Sequence, residues 1–448
     1  MAATAVLLGL GVGGQTPGPG EMVLTKRPYP PPAVFTSQSS DVTLAVVVRD
    51  RDGRVVSDLT RDDFAVSDNG RRETLTAFSV RRNAPPAHAV APTAYTAAAA
   101  AGEDSAVPAN VAVFVDDLHT GPNDLRAGIQ AVEAYMASPA AAADAFAVAT
   151  SSGKTTGSFL RDRTTLTSWL GQVGSGVHDY GAGCPYISPE QAFQIVDAVA
   201  GSDALQLAIN QAAACGNCAA APQRGRRGAA ASGPGCPDPV ALQQRAKMVW
   251  DQVESESRRT IDNLQSLMGV PPQQPGSRSL LLVSAGFPSH ELETELDGVI
   301  ASALRAGVVV NSLDARGLAA QPPNLSHGPD DPVVTANLNM SVNRDSLNRT
   351  EGEANLDALA SVAQATGGHL FTNSNDLAGG TAALLSPEAV YDLAYAPGAV
   401  KSDGRFHALQ VKLDRAGMNV QARRGFYDPK PDPAADPAVA RRRRDLEE

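Results

Sequence analysis

The hydrophobic pattern divides the chain into segments of two kinds. In residues 41–82 and again in residues 387–428, short runs alternate between apolar and polar residues, as strands with one buried face do. Turn signals separate the runs, among them Asp52-Gly53, which predicts a hairpin over residues 42–56, and Asp68-Asn69-Gly70. We therefore predict antiparallel β structure at both places, with four short strands in the first segment and three in the second.

Strands and helices alternate between residues 110 and 386. Continuous apolar runs predict buried strands at 111–115, 145–150, 280–284, 308–314 and 369–373. Apolar residues at helical spacing predict helices at about 124–136, 166–173, 292–304 and 356–365. Strands that are apolar on both faces need helices on both sides, so this segment is predicted to be an α/β domain with a parallel sheet.

The two β segments are expected to fold together. Each contains few strands, and isolated hairpins with open edges are only marginally stable in water. We therefore predict that the N-terminal and C-terminal strands pair into one β module beside the α/β domain.

Two insertions interrupt the α/β series. Residues 178–276 contain a predicted pair of short helices, separated at Gly201-Ser202, and a long helix from about residue 240 to 268. Residues 318–350 are polar and contain Pro322-Pro323, so they are predicted to form a surface loop.

The termini and the linker differ from the folded segments. The apolar run 2–14 is shorter than the about 20 residues that a membrane helix needs, but suits the centre of a signal peptide. We therefore expect a signal peptide at 1–14, export to the periplasm or the extracellular space, and no membrane span; a frayed N-terminus is the alternative, because no Lys or Arg precedes the run. Residues 15–40 are predicted to be an extended leader, 83–109 a linker and 429–448 a disordered tail.

Composition and charge exclude some classes of protein. Hydrophobic residues make up 43% of the chain and charged residues 19%, which fits a folded chain rather than a disordered one. The net charge of −11 argues against a nucleic-acid binder, which needs a basic face.

All four cysteines lie in the first insertion, at Cys184, Cys215, Cys218 and Cys236. An even number of cysteines in an exported protein predicts two disulfides, with three connectivities possible. A four-cysteine zinc site and free thiols are the alternatives, and only one Cys-x-x-Cys spacing is present to support zinc.

Several segments together resemble the von Willebrand factor A (VWFA) family, in particular its Acidobacteria-type VWFA-related proteins. These segments are VRDRDGRVVSDLTRDDFAVSDNG, VAVFVDDLH, GSRSLLLVSAGFP, VVVNSLDARGL, LASVAQATGGHLFTNSNDL, YDLAYAP and VQARRGFYD. The resemblance covers about residues 40–428. It implies a Rossmann-like α/β domain and a Mg²⁺ site at the carboxyl edge of the sheet, built from an Asp-x-Ser-x-Ser turn, a Thr and a second Asp.

The metal-site motif is degenerate in this chain. Asp116 and Thr120 fit the first turn, but Leu118 replaces its first Ser, and Ala285 stands where the second Asp is expected. Too few oxygen ligands remain to hold Mg²⁺ against its own hydration, so no metal or other cofactor is expected; a bound metal would use Asp116 and Thr120.

The resemblance and the loop positions together indicate a function. We expect an exported, non-enzymatic protein-binding or adhesion-type module that contacts an unidentified protein, and not nucleic acid. The expected loop face consists of Asp116, Asp117, His119, Thr120, Ser284 and His290. The alternatives are a metal-dependent hydrolytic enzyme that uses Asp116, Asp117 and His119, and a passive structural component of an envelope complex.

Overall fold

The computed structural model describes residues 41–51, 53–82, 108–177, 185–197, 202–215, 238–274, 277–318, 338–397 and 404–428. The expected signal peptide, the leader, nearly all of the linker and the tail lie outside the described residues. They therefore stay predictions.

A five-stranded parallel sheet forms the centre of the α/β part. Its strands, in spatial order, are β6 (Ala145–Thr150), β5 (Ala109–Val115), β7 (Ser277–Ser284), β8 (Val308–Asp314) and β9 (Leu370–Phe371). The chain thus moves outward from β5 to β6 and then returns to the other side of β5 with β7. The predicted α/β class with a parallel sheet is confirmed, and the arrangement is compatible with a Rossmann-like core.

Helices cover both faces of this sheet. One face carries α1 (Pro122–Met136), α2 (Arg163–Leu170) and α8 (Leu377–Leu385), and the other carries α5 (Pro239–Met268), α6 (Glu293–Ala306) and α7 (Leu338–Thr366). Because successive side chains of a strand point to opposite faces, Val113 enters the first core and Phe114 the second. Among the described residues, no helix combines the length and the hydrophobicity that crossing a membrane requires.

The insertion has a small core of its own. Its helices α3 (Pro189–Asp197) and α4 (Asp203–Cys215) pack on the first half of α5, with Ile195, Leu205 and Trp250 buried between them. Cys184, Cys218 and Cys236 lie outside the described residues, and the side chain of Cys215 is not described. The disulfides therefore stay a prediction.

Two elements of the α/β part differ from the sequence prediction. Helix α7 begins at Leu338, so the loop prediction is wrong for residues 338–350; residues 319–337 of that loop lie outside the described part. The first half of α7 is polar in sequence, and the helix contacts α3 and α4, which are distant in sequence. Helix α8 was not predicted because it contains Gly379-Gly380; its Gly380 lies directly against the ring of Phe371, which leaves no room for a larger residue.

The strands from the two ends of the chain form two antiparallel four-stranded sheets. One sheet has the order β12 (Asn419–Gln421), β1 (Val42–Arg49), β10 (Ala389–Tyr395), β4 (Leu75–Arg82), and the other β13 (Gly425–Tyr427), β11 (Phe406–Leu413), β2 (Phe64–Asp68), β3 (Arg71–Glu73). Both sheets pack on one core that includes Leu44, Phe64 and Tyr391. Each sheet therefore combines N-terminal with C-terminal strands, the pairing expected from their small number.

The strands of this β module agree with the prediction at one turn and differ from it at two places. The Asp68-Asn69-Gly70 turn joins β2 to β3, with positive φ at Asn69 and Gly70. The predicted hairpin over 42–56 is reduced to a single bridge between Arg49 and Val55, because β1 already pairs with β10 on one edge and β12 on the other. Residues 387–428 form four strands and not the three predicted, because residues 419–427 contain both β12 and β13, which belong to different sheets.

Candidate binding site at the carboxyl edge of the sheet

The candidate site lies where the strand order reverses. The helix that follows β5 (α1) and the helix that follows β7 (α6) lie on opposite faces of the sheet, although the two strands are neighbours. Open α/β sheets bind ligands in the crevice at such a point. Asp116 directly follows β5, Ser284 ends β7, and Ser151 directly follows β6. The fold thus brings three loops together at this edge.

Asp116 is the centre of a buried hydrogen-bond network. Its side chain is fully buried. The Oδ1 atom accepts hydrogen bonds from Nδ1 of His119 (2.9 Å) and from Oγ of Ser151 (2.8 Å), and Oδ2 accepts one from Oγ of Ser284 (2.6 Å). Because Ser284 belongs to β7, this carboxylate joins the two sides of the crevice.

Asp117 extends the network towards β6. Its Oδ1 accepts from the backbone N–H of Ser152 (2.8 Å) and lies 2.9 Å from Oγ of Ser151, and its Oδ2 accepts from Oγ of Ser152 (2.6 Å). Thr120, also buried, accepts at Oγ1 from the N–H of Ala285 (3.0 Å). Ser151 and Ser152 are not among the residues of the expected loop face; two hydroxyls directly after the strand beside β5 were the available signal.

Asp116 and His119 form a buried ion pair. Burial alone would raise the pKa of Asp116, but the charge of His119 and the surrounding donors outweigh it, so this pKa is lowered. Burial alone would lower the pKa of His119, but Asp116 outweighs it, with smaller contributions from Glu256 and Asp117, so this pKa is raised. The Nε2 atom of His119 is buried and has no hydrogen-bond partner among the described residues.

His290 lies apart from this network and contacts the insertion instead. Its Nε2 lies 3.0 Å from Oε2 of Glu190 on α3, and its ring stacks on Phe193 at 4.0 Å between centroids. The hydrogen bond to Glu190 raises the pKa of His290. His290 therefore attaches the insertion to the loop that follows β7.

The residues of the edge do not fit a Mg²⁺ ion in this arrangement. Both carboxylate oxygens of Asp116 already accept hydrogen bonds, Thr120 accepts one from a backbone amide, and Leu118 is buried and apolar. Mg²⁺ requires octahedral oxygen coordination, and Leu118 and Ala285 supply no side-chain oxygen at two positions of the expected ligand set. Among the described residues, no group of three or more His, Cys, Asp or Glu side chains is placed to hold a metal ion.

Four residues of the predicted loop face are buried and cannot contact a partner protein directly. Asp116, Thr120 and Ser284 are fully buried and Asp117 nearly so. These side chains were expected at the contact surface, whereas the structure places them beneath it. They hold the three loops together, and any contact surface consists of the residues above them.

No family model, curated protein or solved structure matches this chain. The VWFA resemblance therefore stays an interpretation of the sequence motifs.

Proposed function

We propose that this chain is an exported, non-enzymatic protein-binding module of the VWFA type. In this proposal, the network around Asp116 fixes the loops at the carboxyl edge, and the insertion that is attached there by His290 provides the contact surface. The several hydrogen bonds that Asp116 and Asp117 accept within the protein suit a structural role better than a reactive one.

The distribution of exposed apolar side chains carries the proposal. Among the described residues, seven large apolar side chains are exposed, and four of them lie in the insertion, at Tyr186, Val196, Val240 and Met248. Met248 is 66% exposed and Val240 54%. Apolar and aromatic side chains at a surface are what protein interfaces bury on association, so this part of the molecule is the favoured contact region.

The test compares charged substitutions at two exposed apolar positions. We expect the double variant Val240→Glu, Met248→Glu to lose a protein that the unchanged chain captures from the native cell envelope. The matched control is Phe406→Glu, because Phe406 is 44% exposed but belongs to the β module. All variants must keep the melting temperature of the unchanged chain. Equal capture by the double variant and the control would contradict the proposed surface.

The alternative is a metal-dependent hydrolytic enzyme that uses Asp116, Asp117 and His119. In this alternative the imidazolium of His119, paired with Asp116, would donate the proton of its unpartnered Nε2 as a general acid. Such an enzyme would hydrolyse ester, phosphoester or peptide substrates with added Mg²⁺ or Mn²⁺, and would lose this activity in Asp116→Asn. Under our proposal neither ion raises the melting temperature and no turnover appears. A chain that neither captures a protein nor hydrolyses a substrate would favour a passive structural component.

A further inference from the structure

A groove lies between the end of α7 and the β module, at the edge of the sheet opposite the candidate site. Its walls are residue 364, residues 367–370, residues 409–411 of β11 and residues 419–424. Residues 367–369 precede β9, so the groove lies at the amino ends of the parallel strands. Its volume of about 810 Å³ falls in the range of small-molecule sites, roughly 300–1,000 Å³.

The charge of the groove is opposite to that of the whole chain. The chain has a net charge of −11, yet none of the described residues that line the groove is Asp or Glu. Arg423 and Arg424 line it, together with side-chain amides at Gln364, Gln410, Asn419 and Gln421. The groove is therefore a positive, donor-rich cavity in an acidic protein.

The arginines at this groove are held by neutral acceptors. Arg423 donates to the carbonyl of Thr43 (2.8 Å), but its buried Nε has no partner among the described residues. Arg49, behind the groove, donates to the side chain of Gln421 (3.0 Å) and to the carbonyl of Ala383 (3.2 Å). Burial lowers the pKa of both arginines, and at Arg49 the charge of Glu388 partly opposes this effect. An anion in the groove would supply the countercharge.

The remaining lining residues limit the chemistry of the occupant. Burial, with the charge of Arg49, lowers the pKa of His369 to about 4, so His369 is neutral at pH 7 and the positive charge comes from arginine alone. Leu370, Leu409, Val411 and Val420 give the groove an apolar part.

We propose that this groove binds a small amphiphilic anion. Its carboxylate or phosphate group contacts Arg423 and Arg424, and its apolar body packs on Leu409 and Val420. This ligand site is separate from the protein-binding surface proposed above, and neither depends on the other.

The experiment is titration calorimetry of the full chain with octanoate, octyl phosphate and neutral 1-octanol. We expect saturable binding of the anions and not of octanol, and the tighter anion identifies whether carboxylate or phosphate is preferred. Loss of one charge-assisted hydrogen bond should weaken anion binding by roughly tenfold in Arg424→Gln and in Arg423→Met. Arg415→Gln is the matched control, because Arg415 is exposed in the β module and does not line the groove.

Three results would overturn this proposal. They are the absence of binding by both anions, equal binding of octanol, and an equal loss of affinity in Arg415→Gln and Arg424→Gln. Arg423 packs against Phe426, so Arg423→Met could fail to fold. Arg424 is exposed, and Arg424→Gln alone then decides the question.

Discussion

At the scale of single residues, Asp116 serves as a structural acceptor. A carboxylate is costly to bury unless its oxygens accept hydrogen bonds and an opposite charge lies close to it. Asp116 satisfies both conditions through His119, Ser151 and Ser284, which come from three different segments of the chain. Breaking this pair leaves the other charge buried and uncompensated.

We expect Asp116→Asn to lower the free energy of unfolding by about 3 kcal/mol, the typical cost of removing one partner of a buried ion pair. The stability that His119 provides is complete below its unfolded pKa of 6.5 and is lost as pH rises through its raised folded pKa. The stability that Asp116 provides is complete above its unfolded pKa of 3.8 and is lost as pH falls through its lowered folded pKa. Urea unfolding should therefore show the largest difference between the variant and the unchanged chain between pH 3.8 and pH 6.5.

The matched control for this experiment is Asp262→Asn, because Asp262 is exposed on α5. We expect it to leave the free energy of unfolding unchanged across the same pH range. A stability of Asp116→Asn equal to that of the unchanged chain would show that the pair does not hold the loops together.

At the scale of elements, helix α7 depends on its contact with the insertion. Burial raises the pKa of Glu351 on α7 to about 7, and the nearby charge of Glu190 adds to this increase. A hydrogen bond with Ser188 lowers the same pKa but does not outweigh them. The folded protein therefore holds a proton at Glu351 that the unfolded chain releases at lower pH. The contact between α7 and α3 loses stability as pH rises from 4.5 through about 7.

We expect Glu351→Gln to remove this pH dependence. Below pH 4.5 the variant and the unchanged chain should have similar free energies of unfolding, and at pH 8 the variant should be more stable by about 2 kcal/mol, because it has no charge to bury. Urea unfolding at a series of pH values measures this difference. Glu353→Gln, at an exposed position on the same helix, is the control; an equal gain in this control would mean that general charge reduction is the cause.

At the scale of the whole molecule, strands from residues 42–82 pair with strands from residues 389–427. Strand β10 lies between β1 and β4, and β11 lies between β13 and β2. The N-terminal strands thus have no complete sheet until the C-terminal strands are present, although more than 300 residues separate Val46 from Tyr391, its partner in β10.

We expect a chain that ends at residue 385 to lose the β module while keeping the α/β part. Hydrogen exchange measured by mass spectrometry should then find the amides of residues 42–82 unprotected, because β1 and β4 lose the strand between them. A chain that ends at residue 428 keeps every described strand and serves as the control. Protection of residues 42–82 in the shorter chain would contradict the pairing.

The sequence by itself determined the α/β class, the positions of the five parallel strands and the need of the terminal strands for each other. These features follow from local periodicity and from apolar faces that must be buried, which are properties of the residues themselves. It also identified Asp116, Asp117, Thr120 and Ser284 as candidates, because the edge of a parallel sheet collects the residues that follow its strands.

Only the tertiary structure decided whether those side chains face solvent or lie beneath it. Ser151 and Ser152 contact the carboxylates of Asp116 and Asp117 because β6 lies beside β5, and strand order is not encoded in local periodicity. The first half of α7 has no regular apolar stripe to predict it, and the whole helix contacts helices that are distant in sequence. The groove beside Arg423 exists only where the β module meets the α/β part. Contacts between segments far apart in the chain decided each of these features, since they depend on which surfaces meet.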